Sequence, residues 1–339
     1  MPAALPTPVP AAVPEVAVLL LACNQGATAR AAAESCLAQH GDPLEIVLSD
    51  DASSDDTFMQ LQAAAAAYRG HHKVRVRCNP VNLGIGAHYN LLLAETSAAL
   101  LVTAAGDDIS LPHRVQCLRQ TWEASGRTLD LISSHFVDMA ADGTLGERIV
   151  TDDLAQMTLA GWCARRPYTV GATHAFTRRL MQRYGPFVED VWYEDSAMAL
   201  RALNAGGAAT VREALVHYRR GGTSRWPSTH RGDQLVHWVR TQNRRVLAEI
   251  RQHTLDARRA GAEVETEVVA ALAPMLARET YLAAMLDAPG AAQRWRACRA
   301  ARTLPLGWRV RKLLTFTYPD HAARIKSAKA RWRARWRAR

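Results

Sequence analysis

Apolar and polar positions come in short alternating blocks through the first third of the chain. Val16–Ala22 (VAVLLLA) is continuously apolar and short, the pattern of a parallel strand buried on both faces. Ala27–Gln39 is Ala-rich, contains no breaker and closes on Gly41 and Pro43, which predicts a helix. Leu44–Leu48 predicts a second strand running into the polar turn Ser49–Thr57, and Phe58–Tyr68 a second helix. Val74–Cys78, Ile85–Thr96 and Ala98–Ala104 continue as strand, helix and strand. This regular alternation implies an α/β fold with an open, mostly parallel sheet flanked by helices.

Ligands of such sheets bind beyond the carboxyl ends of the strands. Polar residues fall at those ends: Asn24 after the first strand, Asp50 and Asp51 after the second, Asn79 and Asn82 after the third, Asp107 and Asp108 after the fourth. Further along, Leu129–Val137 is a strand candidate, Glu194–Asn204 a helix ended by Gly206-Gly207, and Ala209–Arg219 a strand entering a Gly-rich loop. Beyond His230 the strand signals stop. Leu235–Gln252 and Val264–Leu286 place apolar residues at three- and four-residue spacing, which predicts helices. The expected organisation is a Pro/Ala-rich leader (1–14), an α/β domain (15–230), a helical annex (231–320) and a basic Arg/Trp tail (321–339).

Composition sharpens this picture. Of 339 residues, 48% are hydrophobic and 22% charged, enough to bury a sizeable core, which excludes a disordered, collagen-like or disulfide-stapled chain. The net charge of +10 is unevenly placed: residues 288–339 carry 15 Lys/Arg and one acid, Asp320, leaving the rest at −4. A mildly acidic body with a basic end is not a uniformly basic nucleic-acid binder. The six cysteines are scattered without a CxxC pair, the usage of reduced thiols rather than of a zinc site. No run reaches the roughly 18 uninterrupted apolar residues of a membrane span. The expectation is a cytoplasmic chain, at most peripheral on the inner face of a membrane.

The turn Ser49-Asp-Asp-Ala-Ser-Ser-Asp-Asp-Thr57 holds four aspartates. A solvated turn in which Ser54 or Asp55 caps the next helix accounts for some of them. Asp50-Asp51, directly at the strand end, is also placed to accept hydrogen bonds from a ribose hydroxyl or an imide N–H. Asp107-Asp108 is an adjacent pair whose charges repel unless a donor or cation neutralises them. A divalent ion bridging to a diphosphate suits oxygen ligands of this kind, and a helix cap before Pro112 is the plainer alternative. In Trp192-Tyr-Glu-Asp-Ser196 the acids open a helix, where its dipole alone favours them. A general base acting on an acceptor hydroxyl is the functional reading.

In this order and spacing, the segments Ala22-Cys-Asn24, Ser49–Thr57, Asn79-Pro-Val-Asn-Leu-Gly-Ile-Gly86, Gly106-Asp-Asp-Ile-Ser-Leu-Pro112, Glu194-Asp195 and Tyr218-Arg219 resemble the family 2 glycosyltransferases of GT-A fold. The resemblance implies an inverting enzyme moving a sugar from a nucleoside-diphosphate donor, UDP foremost, to a saccharide or glycolipid hydroxyl in surface polysaccharide synthesis. It implies nucleotide contacts from Asn24, Asp50, Asp51, Asn82, Asp107 and Arg219. It further implies a divalent metal (Mn²⁺ or Mg²⁺) on Asp108, and Asp195 as catalytic base supported by Glu194. Two departures stand out: Ala105 or Gly106 replaces the usual leading acid of the DxD element, and Gly221 replaces a His frequent two residues after the Arg. Two other readings share these features. One is a nucleotidyltransferase on a related sheet, although Asn24-Gln-Gly-Ala lacks the basic Gly-rich loop expected there. The other is a non-catalytic sugar-nucleotide or carbohydrate-binding protein. For the tail, the expectations are a solvated terminus or contact with an anionic membrane surface, with nucleic acid the rival.

Overall fold

A computed structural model describes residues 14–221 and 231–337, with side chains through residue 328. The Pro/Ala leader, the loop at 222–230 and the Arg/Trp side chains of the tail lie outside the described residues. The chain begins β1 (Val16–Ala22), α1 (Gly26–Leu37), β2 (Glu45–Asp50), α2 (Thr57–Ala67), β3 (Lys73–Cys78), α3 (Ile85–Glu95) and β4 (Leu100–Ala105). All seven match the expected elements in type, and β1 matches residue for residue.

β1 is central because its apolar run can be buried on both sides. It pairs in parallel with β2 and β4, with Leu19 opposite Val47 and Thr103. Its side chains alternate between two cores. Val16, Val18 and Leu20 pack with Ala29, Ala33 and Leu61 on one face, whereas Ala17 and Leu19 pack with Leu92, Leu180 and Met198 on the other. Each fully buried Val or Leu contributes about 1.5–3 kcal/mol relative to exposure.

The chain continues through β5 (Ile109–Ser110), α4 (Arg114–Ala124), β6 (Leu131–Met139), β7 (Leu145–Ile149), α5 (Leu159–Ala164), β8 (Ala175–Thr177), α6 (Arg178–Tyr184), α7 (Glu194–Leu203) and β9 (Ala208–Arg219). The sheet order is β3-β2-β1-β4-β8-β6-β9-β5, with β7 on β6. It is parallel from β3 to β4 and again between β6 and β9, while β8 joins the two parts antiparallel to β4 and β6. The two-residue β5 and three-residue β8 have no periodicity to read. They exist because tertiary pairing places Ile109 against His217 and Leu100 against Thr177.

Five helices follow: α8 (Gly232–Ala260), α9 (Ala262–Asp287), α10 (Ala291–Ala300), α11 (Leu306–Thr317) and α12 (Pro319–Arg337). α8 packs against α7, α9 and α12. α9 is long and apolar enough to span a membrane by length and composition. Its Val268, Leu272, Tyr281 and Met285 are nevertheless buried in the cores it forms with neighbouring helices, so they serve as core residues.

Candidate active site

The carboxyl ends of β1, β2 and β3 are tied into one rim. Asn24 takes the left-handed conformation (φ 53°), accepts a hydrogen bond from the Ser54 amide on its Oδ1 (2.9 Å) and donates its own amide to Ser53 Oγ (2.7 Å). The Asp50 carboxylate accepts from the Ser53 amide (3.1 Å) and the Cys78 thiol (3.2 Å). Asp51 reaches across to the segment before α3: its carboxylate accepts from Asn79 Nδ2 (2.7 Å), the Leu83 amide (2.9 Å) and the Gly84 amide (2.9 Å). Asn82 Nδ2 in turn donates to the Asp51 carbonyl (3.0 Å). A buried carboxylate holding three N–H groups is well satisfied. Gly84 stands at φ 73° at the start of α3, a conformation glycine adopts without Cβ strain. Asp55 joins the first two helices by accepting from the Gly26 amide (3.0 Å) and the Thr57 amide (3.0 Å). Of the two capping candidates in this turn, Asp55 therefore acts at both helix starts.

At the end of β4 the chain turns through Gly106 into Asp107 and Asp108. A Cβ on Gly106 would stand 2.5 Å from Gln25 Oε1 and 2.6 Å from the Ala22 Cβ, so the turn seats directly on the β1–α1 corner. This close approach accounts for a glycine beside the acidic pair. Gln25 hydrogen-bonds the Asp107 side chain, whose pKa burial raises. Asp108 is buried; its Oδ1 accepts the Arg219 amide (2.8 Å), and its Oδ2 is buried with no hydrogen-bond partner. Burial first, and then the Asp107 charge, push the Asp108 carboxyl up to about 8. An orphaned, buried carboxylate oxygen beside a second acid fits a divalent cation.

Arg219 secures this turn from β9. Its Nε donates to the Asp107 carbonyl (3.0 Å) and its Nη1 to the carbonyls of Ala140 (3.1 Å) and Ala141 (2.7 Å). Below lies a cation with no sequence motif to announce it. Arg114 is 1% exposed, donates to the carbonyls of Thr103 (2.8 Å) and Ala172 (2.7 Å), and helps keep Asp108 ionisable.

Glu194 and Asp195 open α7. Glu194 is buried with its carboxylate against Gly171, where a Cβ would come within 2.4 Å of Oε1. Asp195 is partly buried, and its Oδ1 accepts the Ser196 amide (2.7 Å). Desolvation raises both members of the pair, Asp195 to about 6. Beside them, the Arg245 guanidinium lies 3.4 Å from the Trp192 ring centroid. One side chain links the two acidic sites. The Tyr218 phenol is pushed up to about 12 by burial and then by the charges of Asp108, Asp107 and Asp195. Tyr218 therefore feels the charges of both acidic sites.

Residues 17–152 match the family model described as glycosyl transferase family 2. That match covers about two fifths of the chain. An uncharacterised glycosyltransferase of Nostoc sp., alr2836, is 25% identical over 226 residues, covering 62% of this chain and 66% of that protein. The EpsE glycosyltransferase of Bacillus subtilis is 30% identical over 105 residues, covering 30% of this chain and 36% of its own. The chain thus matches from about a third to about two thirds of the length of these relatives. Residues 1–349 of S. aureus TarS, crystallised with UDP-GlcNAc, superpose with a TM-score of 0.52 at 14% identity, covering 94% of this chain and 92% of that one. The same region of TarS with UDP gives 0.51 at 13% identity, with 93% and 92% coverage. These superpositions show the GT-A fold.

The matched segment holds Asn24 to Asp108, whereas Glu194, Asp195 and Arg219 lie beyond its limits and approach it only in three dimensions. Gln25, Arg114 and Gly171 were given no role by sequence reasoning, and none sits in a repeated or charged pattern; Tyr218 was marked only as part of the Tyr218-Arg219 segment, without a role of its own. The six cysteines are free thiols, of which Cys36 and Cys298 are buried.

Proposed function

We propose that this chain is a metal-dependent, inverting glycosyltransferase that moves a sugar from a nucleoside diphosphate, UDP foremost, to a hydroxyl of a saccharide or glycolipid. The observation carrying the proposal is the unpartnered, buried Oδ2 of Asp108 beside Asp107, with the Arg219 amide of β9 held on the other oxygen. The TarS crystals with UDP and UDP-GlcNAc support a uridine nucleotide on this fold. The rim of Asn24, Asp50, Asp51 and Asn82 is the proposed nucleoside contact, and Arg219 holds the turn that faces the diphosphate. Asp108, with Asp107 beside it, would hold Mn²⁺ or Mg²⁺, whose charge would offset that developing on the departing diphosphate.

Asp195 is the proposed base. The Ser196 amide holds its carboxylate, and its raised pKa places it closer to neutrality than a surface carboxylate, which favours proton acceptance. The acceptor oxygen, within about 3 Å of Asp195, gives up its proton as it bonds to the anomeric carbon. The bond from that carbon to the diphosphate oxygen breaks with its electron pair, so one displacement inverts configuration. Glu194, packed under Gly171, holds the start of α7 in place. A cytoplasmic setting and a role in surface polysaccharide synthesis belong to the same proposal.

A thermal-shift panel of UDP, GDP, dTDP and CMP with Mn²⁺, Mg²⁺ or EDTA tests the donor and metal. Ligand at a hundredfold excess over Kd stabilises by about 2.7 kcal/mol. A metal-dependent shift with UDP that disappears in Asp108→Ala supports the reading. No shift with any nucleotide favours a non-catalytic carbohydrate-binding protein instead.

A further inference from the structure

The basic end of the chain is built on a surface groove rather than on a simple charged strip. α11 and α12, with the start of α8, enclose a groove of about 980 Å³. Its lining includes Leu314, Tyr318 and Ile325, which remain 53%, 62% and 47% exposed. Arg311, Lys312 and Lys326 line the same groove. Burial first, and then the neighbouring Lys312 and Arg311 charges, disfavour the charged form of Lys326, while Glu279 acts in the opposite sense on Lys312. Large apolar side chains open to solvent beside crowded cations form a two-part surface, with one part suited to hydrocarbon and the other to phosphate.

We propose that the α11–α12 groove docks onto an anionic phospholipid surface, with Leu314, Tyr318 and Ile325 entering the headgroup–acyl boundary and Arg311, Lys312 and Lys326 pairing with lipid phosphates. Charge selects this occupant. Residues 288–339 sum to +14, so a second copy of the same face would meet strong like-charge repulsion. A nucleic acid would satisfy the cations but gain little from a groove lined by leucine and isoleucine. α12 continues to Arg337 through the alternating Arg and Trp of the tail, residue types that favour a lipid interface. The inference rests on the annex alone and stands or falls independently of the carboxylate site. It moves the expected membrane contact from the tail to a face that begins in α11.

Co-sedimentation of the full chain with phosphatidylcholine vesicles, with and without 30 mol% phosphatidylglycerol (~30%, a common anionic fraction), tests this. Binding is expected only to the anionic vesicles, and it should weaken as salt is raised. Removing the three charges in Arg311→Gln/Lys312→Gln/Lys326→Gln is expected to reduce partitioning about 100-fold. Leu314→Ser/Tyr318→Ser/Ile325→Ser is expected to lose at least about tenfold at unchanged charge. Truncation after residue 328 should retain part of the binding. Equal binding of the unmodified chain to both vesicle types overturns the proposal without recourse to any variant. So does unchanged binding by the apolar triple variant, retention of binding only through the tail, or sedimentation equilibrium showing a dimer that this variant dissolves. Tighter binding to single-stranded RNA than to anionic vesicles, lost in the charge variant, would assign the face to nucleic acid instead.

Discussion

Arg201 and Asp256 form a two-pronged ion pair with both side chains fully buried, Nε to Oδ2 at 2.8 Å and Nη2 to Oδ1 at 3.0 Å. Arg201 lies on α7, the helix that begins with Glu194 and Asp195, and Asp256 lies on α8. Gln252 extends the link, donating to Asp256 (2.9 Å) and accepting the Val188 amide (2.7 Å). The annex therefore clamps the helix bearing the proposed base onto the sheet.

Removing one partner leaves an uncompensated buried charge. Asp256→Ala is expected to lower stability by about 3–5 kcal/mol, whereas Arg201→Met/Asp256→Leu should recover much of that loss. Urea denaturation of the three proteins checks this. Equal destabilisation by the single and double variants would show that packing at this site, not the unpaired charge, dominates.

If Asp195 is the base proposed above, the Glu194–Asp195 pair dictates a specific pH profile for turnover. Both carboxyls are raised by burial, Asp195 to about 6, and a general base works only when deprotonated. Turnover should therefore hold at neutral pH and fall about tenfold per pH unit below about 6. Asp195→Asn should bind donor normally and lose about 10²–10⁴-fold in kcat. A variant that keeps most of its turnover places the base elsewhere.

Asp108 links stability to pH in the metal-free protein. Its folded pKa is raised to about 8, against about 3.9 for an unfolded Asp. Between these values the folded state binds the extra proton, so stability is greatest at the acid side and declines as pH rises towards about 8. Asp108→Asn should remove this slope. Millimolar Mn²⁺ should restore stability at pH 8 in the parent chain and leave the variant unchanged. Thermal unfolding across pH 5–9 (a range of about four units) measures both effects.

Gly106 is held by contact rather than by its backbone angle. Gly106→Ala places a methyl group 2.5 Å from Gln25 Oε1 and 2.6 Å from the Ala22 Cβ. Overpacking of this kind costs about 1–3 kcal/mol and should displace Asp107 and Asp108. A nucleotide-induced thermal shift that is unchanged in this variant would show that the turn has room to adapt.

Local pattern was enough to locate α1, α2, α3 and the four parallel strands, because an apolar run with a polar terminus has few other ways to be buried. It also marked Asp50, Asp51, Asp107 and Asp108, which lie at or just past the ends of those strands. The limits of α8 were harder to see. The periodic apolar stretch begins at Leu235 and stops at Gln252, yet the helix runs from Gly232 to Ala260. Its last turns hold because Asp256 and Ala257 are buried by other elements, which no periodicity within the segment reveals.

Composition and order of residues determined the sheet, its central strand and the identity of the acids at its edge, since these follow from near-neighbour periodicity and burial. Tertiary structure decided which charges the acids feel. It brought Tyr218 within electrostatic reach of Asp107, Asp108 and Asp195, buried Arg114 where its charge acts on Asp108, left Asp108 Oδ2 without a partner, and fastened α7 to α8 through Arg201 and Asp256. Several of these relationships join residues tens to more than a hundred positions apart. Their energies depend on desolvation and distance, quantities that exist only once the chain is folded.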